Sequence, residues 1–245
     1  MILLKAIMVA PVARHLRTAL CGLAMAGIFA APAAQGAILV IENFNDPGAQ
    51  NFTTVGEGTT GPAPSDAFWD YGADQVTGLT GFEGDDFWGG RDLDATFGSP
   101  SGVPRILTTD PVDISLLLSP TLEISLAATE GVWESGDDDF LSIYVFDAAT
   151  PGDRILLEQF LPDAASSGDL VATINGSQAL GSSFATFVFT VPETISNLQI
   201  EIEASSTGAL ENLGIDNIQV EFIPEPQTAA LLAAGFGLLL FRRRR

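Results

Sequence analysis

From Arg105 onward the chain alternates. Apolar and polar residues exchange places at every second position in short segments, each closed by a cluster of turn formers. Thr121-Leu122-Glu123-Ile124-Ser125-Leu126 is one such segment. Phe184 to Val191 and Leu198-Gln199-Ile200-Glu201-Ile202-Glu203 are two more, and Ile218-Gln219-Val220-Glu221-Phe222 closes the set. Phe140 to Phe146 is more uniformly apolar, as a strand covered on both faces is. A period of two sends successive side chains to opposite faces of an extended chain, and no stretch at helical period longer than two turns competes. The separators are Glu134-Ser135-Gly136-Asp137, Thr150-Pro151-Gly152-Asp153, Asn175-Gly176 and Ser205-Ser206-Thr207-Gly208. Strands at this spacing with one polar face predict an all-β fold, an antiparallel β-sandwich of one domain. The part from Glu42 to Pro104 is rich in Gly, Asp, Thr and aromatic residues and shows little sustained alternation.

Charge narrows the chemistry. Between Ala37 and Pro226 the only basic residues are Arg91, Arg105 and Arg154, against all 31 acidic residues of the chain, a balance of 3 − 31 = −28. Nucleic acid and anionic membrane surfaces require cationic protein and are excluded as partners. The only His (His15), Cys (Cys21) and Lys (Lys5) precede this span, as do all three Met. A Ser-His-Asp triad, histidine-ligated zinc, a thiol nucleophile, a disulfide framework and a Schiff base are therefore not available to the body of the chain. Carboxylate chemistry remains: a glycosidase-type acid pair or oxygen ligation of a hard cation.

The two ends read as addresses. Lys5, Arg14, His15 and Arg17 form a basic region, Thr18 to Ala30 an apolar one, and Ala34 and Gly36 suit signal peptidase at the −3 and −1 positions, so residues 1–36 are expected to be a signal peptide. At the other end Ile223-Pro224-Glu225-Pro226-Gln227-Thr228 leads into the apolar run Ala229 to Phe241 and then Arg242, Arg243, Arg244 and Arg245. A helix over 228–241, lengthened by the residues before it, nears the span of a bilayer. The four arginines would hold that end in the cytoplasm.

The Pro224-Glu225-Pro226 triplet, apolar helix and arginine stop together resemble the PEP-CTERM sorting signal of Gram-negative bacteria that make extracellular polysaccharide. The resemblance covers 223–245 and leaves 37–222 as the β-sandwich domain. It implies processing by an exosortase that cuts near the triplet. It also implies an inner-membrane-anchored intermediate and a final location at the cell surface or in the extracellular matrix.

Within the sandwich, three acidic groups stand out. Unbroken alternation places Glu42 on the face of Ile38, Val40 and Phe44, and Asp216 on that of Ile218, Val220 and Phe222. Both carboxylates are then aimed at the apolar side, where an uncompensated charge is costly; solvation at strand ends is the other reading. Glu42-Asn43-Phe44 and Ile215-Asp216-Asn217-Ile218 resemble paired elements of jelly-roll carbohydrate-binding and adhesion modules, where a calcium ion lies between the first and last strands. The resemblance implies a Ca2+ ligated in part by Glu42 and Asp216, and a jelly-roll-like sandwich.

The second group is Glu130, Glu134, Asp137, Asp138 and Asp139 around Trp133. It could supply several oxygens to one ion or be a solvated hairpin loop, and it lacks EF-hand spacing. The third is Asp85-Asp86-Phe87-Trp88-Gly89-Gly90-Arg91-Asp92-Leu93-Asp94. Three readings apply to it: an aromatic loop covering the core, a carbohydrate platform of Trp88 with Asp86 or Asp92, or a catalytic carboxylate pair. Trp69 and Tyr71 invite the same comparison.

Two function classes follow. The favoured expectation is an exported, non-catalytic cell-surface or matrix protein, calcium-stabilised and associated with exopolysaccharide. The alternative is a secreted carboxylate-dependent glycoside hydrolase or polysaccharide lyase.

Overall fold

The alternating segments all form strands, and the Gly-rich first half supplies more of them than its composition announces. The computed structural model describes residues 37–46, 50–55, 58–59, 68–72, 76, 78–93, 103–134, 139–163, 168–208 and 210–223. The expected signal peptide and the sorting motif with its helix and arginine stop, Pro224 to Arg245, lie outside the described residues. So do Asp137 and Asp138.

Among the described residues, two antiparallel sheets face each other, seven strands in each. In the first, the order is Ala185–Thr190 (β12), Leu118–Ala128 (β8), Asn212–Ile223 (β14), Trp88–Arg91 (β5), Phe68–Tyr71 (β4) and Gly58–Thr59 (β3), with Ala37–Glu42 (β1) also paired to β14. In the second it is Asp169–Ala172 (β11), Ile155–Asp163 (β10), Phe140–Asp147 (β9), Asn197–Ser205 (β13), Arg105–Thr109 (β6) and Phe52–Val55 (β2), with Val112–Asp113 (β7) on β13. Among the described residues there is no helix.

The core is the layer between the sheets. Leu122, Ile124 and Leu126 of β8 are buried there with Leu141, Ile143 and Val145 of β9 and Ile200 and Ile202 of β13. Thr121, Glu123 and Ser125 alternate with them on the other side, as period two requires. Aromatic contacts bolt the layers: Phe160 of β10 meets Phe187 of β12 at 5.2 Å between centroids, and Phe52 of β2 meets Trp88 of β5 at 5.0 Å. Both are near-perpendicular, the geometry that ring quadrupoles favour, worth about 0.5–1.5 kcal/mol beyond burial.

A smaller cluster of Phe68, Val76, Leu79, Phe87 and Ala127 forms beside it, with Phe82 and Phe184 packed on. Its members alternate with Trp69, Trp88, Leu126 and Ala128 of the main core, so it covers the opposite face of the first sheet. Gly214 of β14 permits this close cover: a Cβ there would lie 2.4 Å from the Phe184 ring.

Candidate functional site

β14 is long enough to take two partners end to end along one edge. Its first part pairs with β5, from Asn212 opposite Arg91 to Ile215 opposite Trp88. Its later part pairs with β1, from Ile218 opposite Glu42 to Phe222 opposite Ala37. Asp216 and Asn217 occupy the junction where β5 has not yet begun and β1 has just ended. The residues flanking those strand ends, Glu42 to Asn45 and Glu83 to Phe87, gather around it.

Glu42 is 3% exposed and Asp216 0%. Both are buried, though not by unbroken alternation. Ile38 and Val40 face solvent, and a register shift between Val40 and Glu42 turns Ile41 and Glu42 inward together. On β14 a second shift falls between Asp216 and Gln219, and Asn217 adopts φ 43°. Leu213, Ile215, Ile218 and Val220 belong to the main core, so Asp216 does not share their side. It lies with Gly214, under the segment that carries Glu83. A bulge costs one residue of pairing and reverses parity beyond it, which is why a strict period of two fails here.

Each carboxylate sits in a nest of backbone donors. Glu42 Oε1 accepts hydrogen bonds from the N–H groups of Asn43 (2.9 Å) and Phe44 (2.7 Å), and Oε2 accepts one from Asn51 N–H (3.0 Å). Asp216 Oδ2 accepts from Glu83 N–H (2.7 Å) and Oδ1 from Asn217 N–H (2.8 Å). Asn217 Nδ2 donates in turn to Glu83 Oε2 (2.7 Å). Asn45 Oδ1 accepts from Asp85 N–H (2.7 Å), tying the end of β1 to the approach of β5. Gly84, at φ 84°, makes that approach feasible, because a Cβ would lie 1.9 Å from Asn45 Oδ1. Phe44 also has a positive φ, 54°. Strained backbone beside both carboxylates marks a place the surrounding fold over-determines.

The electrostatics are one-sided. The Asp216 carboxyl is pushed up to about 6, by burial first and by the charges of Glu83 and Asp86, against the pull of its two N–H donors. The Tyr71 hydroxyl is likewise raised, chiefly by burial and further by Glu42, Asp86 and Asp70. Tyr71 therefore shares a neighbourhood with Glu42 and Asp86, and Asp86 with Asp216. Asp86 acts on both Tyr71 and Asp216, so acids from the end of β1 and from the approach to β5 flank the junction on β14. Sequence reasoning missed Glu83; its only local sign was a turn-forming Gly-Phe-Glu-Gly context.

Trp88 takes the core reading among the three weighed for it. Its ring has 0% exposure and is packed edge-on against Trp69 (5.7 Å), Tyr71 (5.3 Å) and Phe52. No face is open to a sugar, so the platform reading for Trp88 is set aside. Asp86 and Asp92 are half-buried at opposite ends of β5. That strand alone spans about 13 Å, more than the 5–10 Å over which glycosidase carboxylates cooperate. The two do not form the catalytic pair considered above.

The second acidic group is divided by the fold. Glu130 Oε1 accepts from Ser182 N–H (3.3 Å), while the buried Trp133 donates its indole N–H to Thr129 O (2.8 Å). Glu134 and Asp139 turn elsewhere, toward Glu211.

No protein-family model matches the chain, and no curated protein is similar to it. Solved structures of similar outline exist. The K2 cleaved adhesin domain of Lys-gingipain from Porphyromonas gingivalis shares 14% identity over 75% of this chain and 99% of its own, at a TM-score of 0.46. A mutant of a family 29 carbohydrate binding module shares 11% over 76% and 92%, at 0.41. The CBM22-1 xylan-binding domain from Paenibacillus barcinonensis shares 14% over 79% and 99%, at 0.36. The sandwich assignment rests on the strand pairing of this chain itself.

Proposed function

We propose that this protein is an exported, non-catalytic module of the cell surface or extracellular matrix. On this reading it is delivered by signal peptidase and an exosortase, stabilised by calcium where β1, β5 and β14 meet, and associated with exopolysaccharide. The observation that carries the calcium reading is Asp216, a carboxylate with no exposed surface that lies in the field of Glu83 and Asp86. Calcium takes six to eight oxygen ligands in flexible geometry, and Glu42, Asp216 and Asp86 offer carboxylates without nitrogen or sulfur competitors, the donor set of a hard cation. These residues would hold the ion, whose charge would offset the desolvated acids and hold the ends of β1 and β5 against β14. Burial of Trp88 moves any glycan contact to exposed faces. The balance of −28 in the body favours a neutral glycan, since an anionic one is repelled.

The test is a thermal melt of the full-length chain in mild detergent, with calcium and with chelator, beside Asp216→Asn. Calcium should raise the wild-type midpoint by several degrees, and Asp216→Asn should forfeit a distinct part of that gain. An equal calcium response in the two proteins would refute this locus. Retention on a neutral exopolysaccharide in affinity electrophoresis checks the glycan, and unretarded migration would remove it.

A further inference from the structure

Three carboxylates far apart in sequence meet at a separate place in the fold. Glu134 follows β8, Asp139 precedes β9, and Glu211 precedes β14; each brings an oxygen within 4.8 Å of the others. Glu134 is exposed, but Asp139 and Glu211 are each 1% exposed. Backbone donors hold one oxygen of each buried group. Asp139 Oδ2 accepts from Glu134 N–H (3.1 Å), and Glu211 Oε2 accepts from Thr207 N–H (2.8 Å) and Gly208 N–H (2.6 Å). Among the described residues, the remaining oxygens, Asp139 Oδ1 and Glu211 Oε1, are buried without a hydrogen-bond partner.

Gly208 shapes this turn. A Cβ on it would lie 2.9 Å from Glu211 Cδ and 3.0 Å from Oε1, so the backbone closes directly on the carboxylate. Two buried, prepositioned oxygens that face no donor among the described residues are expensive in a low-dielectric site. A positive charge between them would offset that cost.

We infer that Glu134, Asp139 and Glu211 form a second divalent-cation site, selective for calcium and independent of the junction at Asp216. An all-oxygen, carboxylate-only set suits a hard ion, and the exposed Glu134 leaves one side open for water ligands and entry. A proton shared between two of the carboxyls is the competing resolution, but it neutralises one charge of three. Burial first pushes both carboxyls upward; for Glu211 a carboxyl hydrogen bond with Glu134 and then the charges of Asp139 and Glu134 add to it, and for Asp139 the charge of Glu134 adds a smaller push against its hydrogen-bond donors. Residues 211 and 216 are five apart on an extended strand, about 17 Å, so one ion does not serve both places. Such an ion would pin the β8–β9 turn to the entry of β14.

The experiment uses full-length protein in mild detergent, stripped of divalent ions, in an Asp216→Asn background so that the junction is silenced. Calcium alone should still raise its melting midpoint saturably. Adding Glu211→Gln should weaken that response more than tenfold, while leaving the ion-free midpoint no lower than its parent's because a repulsion is removed. Terbium(III), excited through the adjacent Trp133 indole, should give sensitised emission that calcium displaces and Trp133→Phe reduces. An equal calcium response with and without Glu211 overturns the site. So does a parent that ignores calcium while Glu211→Gln raises its midpoint, which would assign a shared proton instead. Should the Glu211 variant fail to fold, the terbium titration decides alone, and absence of Trp133-dependent emission overturns the proposal.

Discussion

A carboxylate with no exposed surface, such as Asp216, is stable only in a form that its surroundings neutralise. In ion-free buffer that form is the protonated one. The group ionises near pH 6 in the folded chain and near 3.8 in the unfolded chain, so between those values the native state holds the extra proton. Stability from this residue is therefore present below about pH 4 and lost as pH rises through about 6, an effect of about 3 kcal/mol. Groups such as Glu158 run the other way and would mask it in a single curve. The informative measurement is the difference between wild type and Asp216→Asn with chelator present. Asp216→Asn should gain on wild type as pH rises from 4 to 6.5, and parallel curves would show that Asp216 is not desolvated. The arginines repeat the lesson on the cationic side. Arg91 is buried with Nε donating to Asn212 Oδ1, and Arg105 is buried with Nε donating to Leu93 O. Arg154 instead lies over the Tyr144 ring and pairs with Glu201 and, at 2.7 Å, with Glu203.

At the scale of single elements, bulges decide what a strand displays. β10 shifts register between Leu156 and Glu158, which turns Glu158 into the interior of a strand rich in apolar residues. There its Oε1 accepts from the N–H groups of Gln159 (3.0 Å), Thr173 (2.9 Å) and Ile174 (2.8 Å), and Oε2 from Asn175 (2.7 Å). Burial alone would raise this carboxyl, yet the four donors win and hold it below the usual range. Glu158→Gln would aim an amide donor at a backbone donor, at a cost of about 1–3 kcal/mol. Hydrogen exchange at residues 173–175 should quicken while the amides shared by β9 and β13 stay protected. Uniform loss of protection would show that the nest does not act locally. Strands with clean alternation, β8 and β13 above all, were legible in the sequence. β10 was not, because one extra residue reverses its parity, and neither were β4 and β5, which are four residues each and buried on both faces.

Across the whole molecule, two aromatic bolts and a continuous apolar layer hold together a body that carries 31 acids and three arginines. Self-repulsion of that size destabilises any compact state, and salt screens it over about 10 Å at 0.1 M. In chelated buffer, raising sodium chloride from about 20 mM to about 0.5 M should raise the melting midpoint, because the Debye length falls several-fold. With calcium present the salt dependence should flatten, since bound cations would have removed part of the repulsion. A midpoint indifferent to salt in both buffers would mean that the acids are spaced widely enough not to interact.

Much of this protein follows from the chain alone. Alternation from Thr121 to Phe222 dictates an antiparallel two-sheet fold, since side-chain direction in a strand is a local consequence of backbone geometry. The composition of residues 37–226 removes histidine, thiol and lysine chemistry, because groups that are not in the chain cannot be folded into a site. Parity drew attention to Glu42 and Asp216, but the solvated reading stood beside the buried one, and the bulges that bury them left no sign in the chain. The tertiary structure decided which acids meet. Asp86 joins the neighbourhood of Asp216 because β5 and β1 share one edge of β14, and Glu211 reaches Glu134 and Asp139 because that strand lies beside β8. Trp88 becomes a core residue because β2 of the opposite sheet carries Phe52 against it. Pairings of this kind depend on strand order and on bulges that shift register by one residue, and neither leaves a trace in local periodicity.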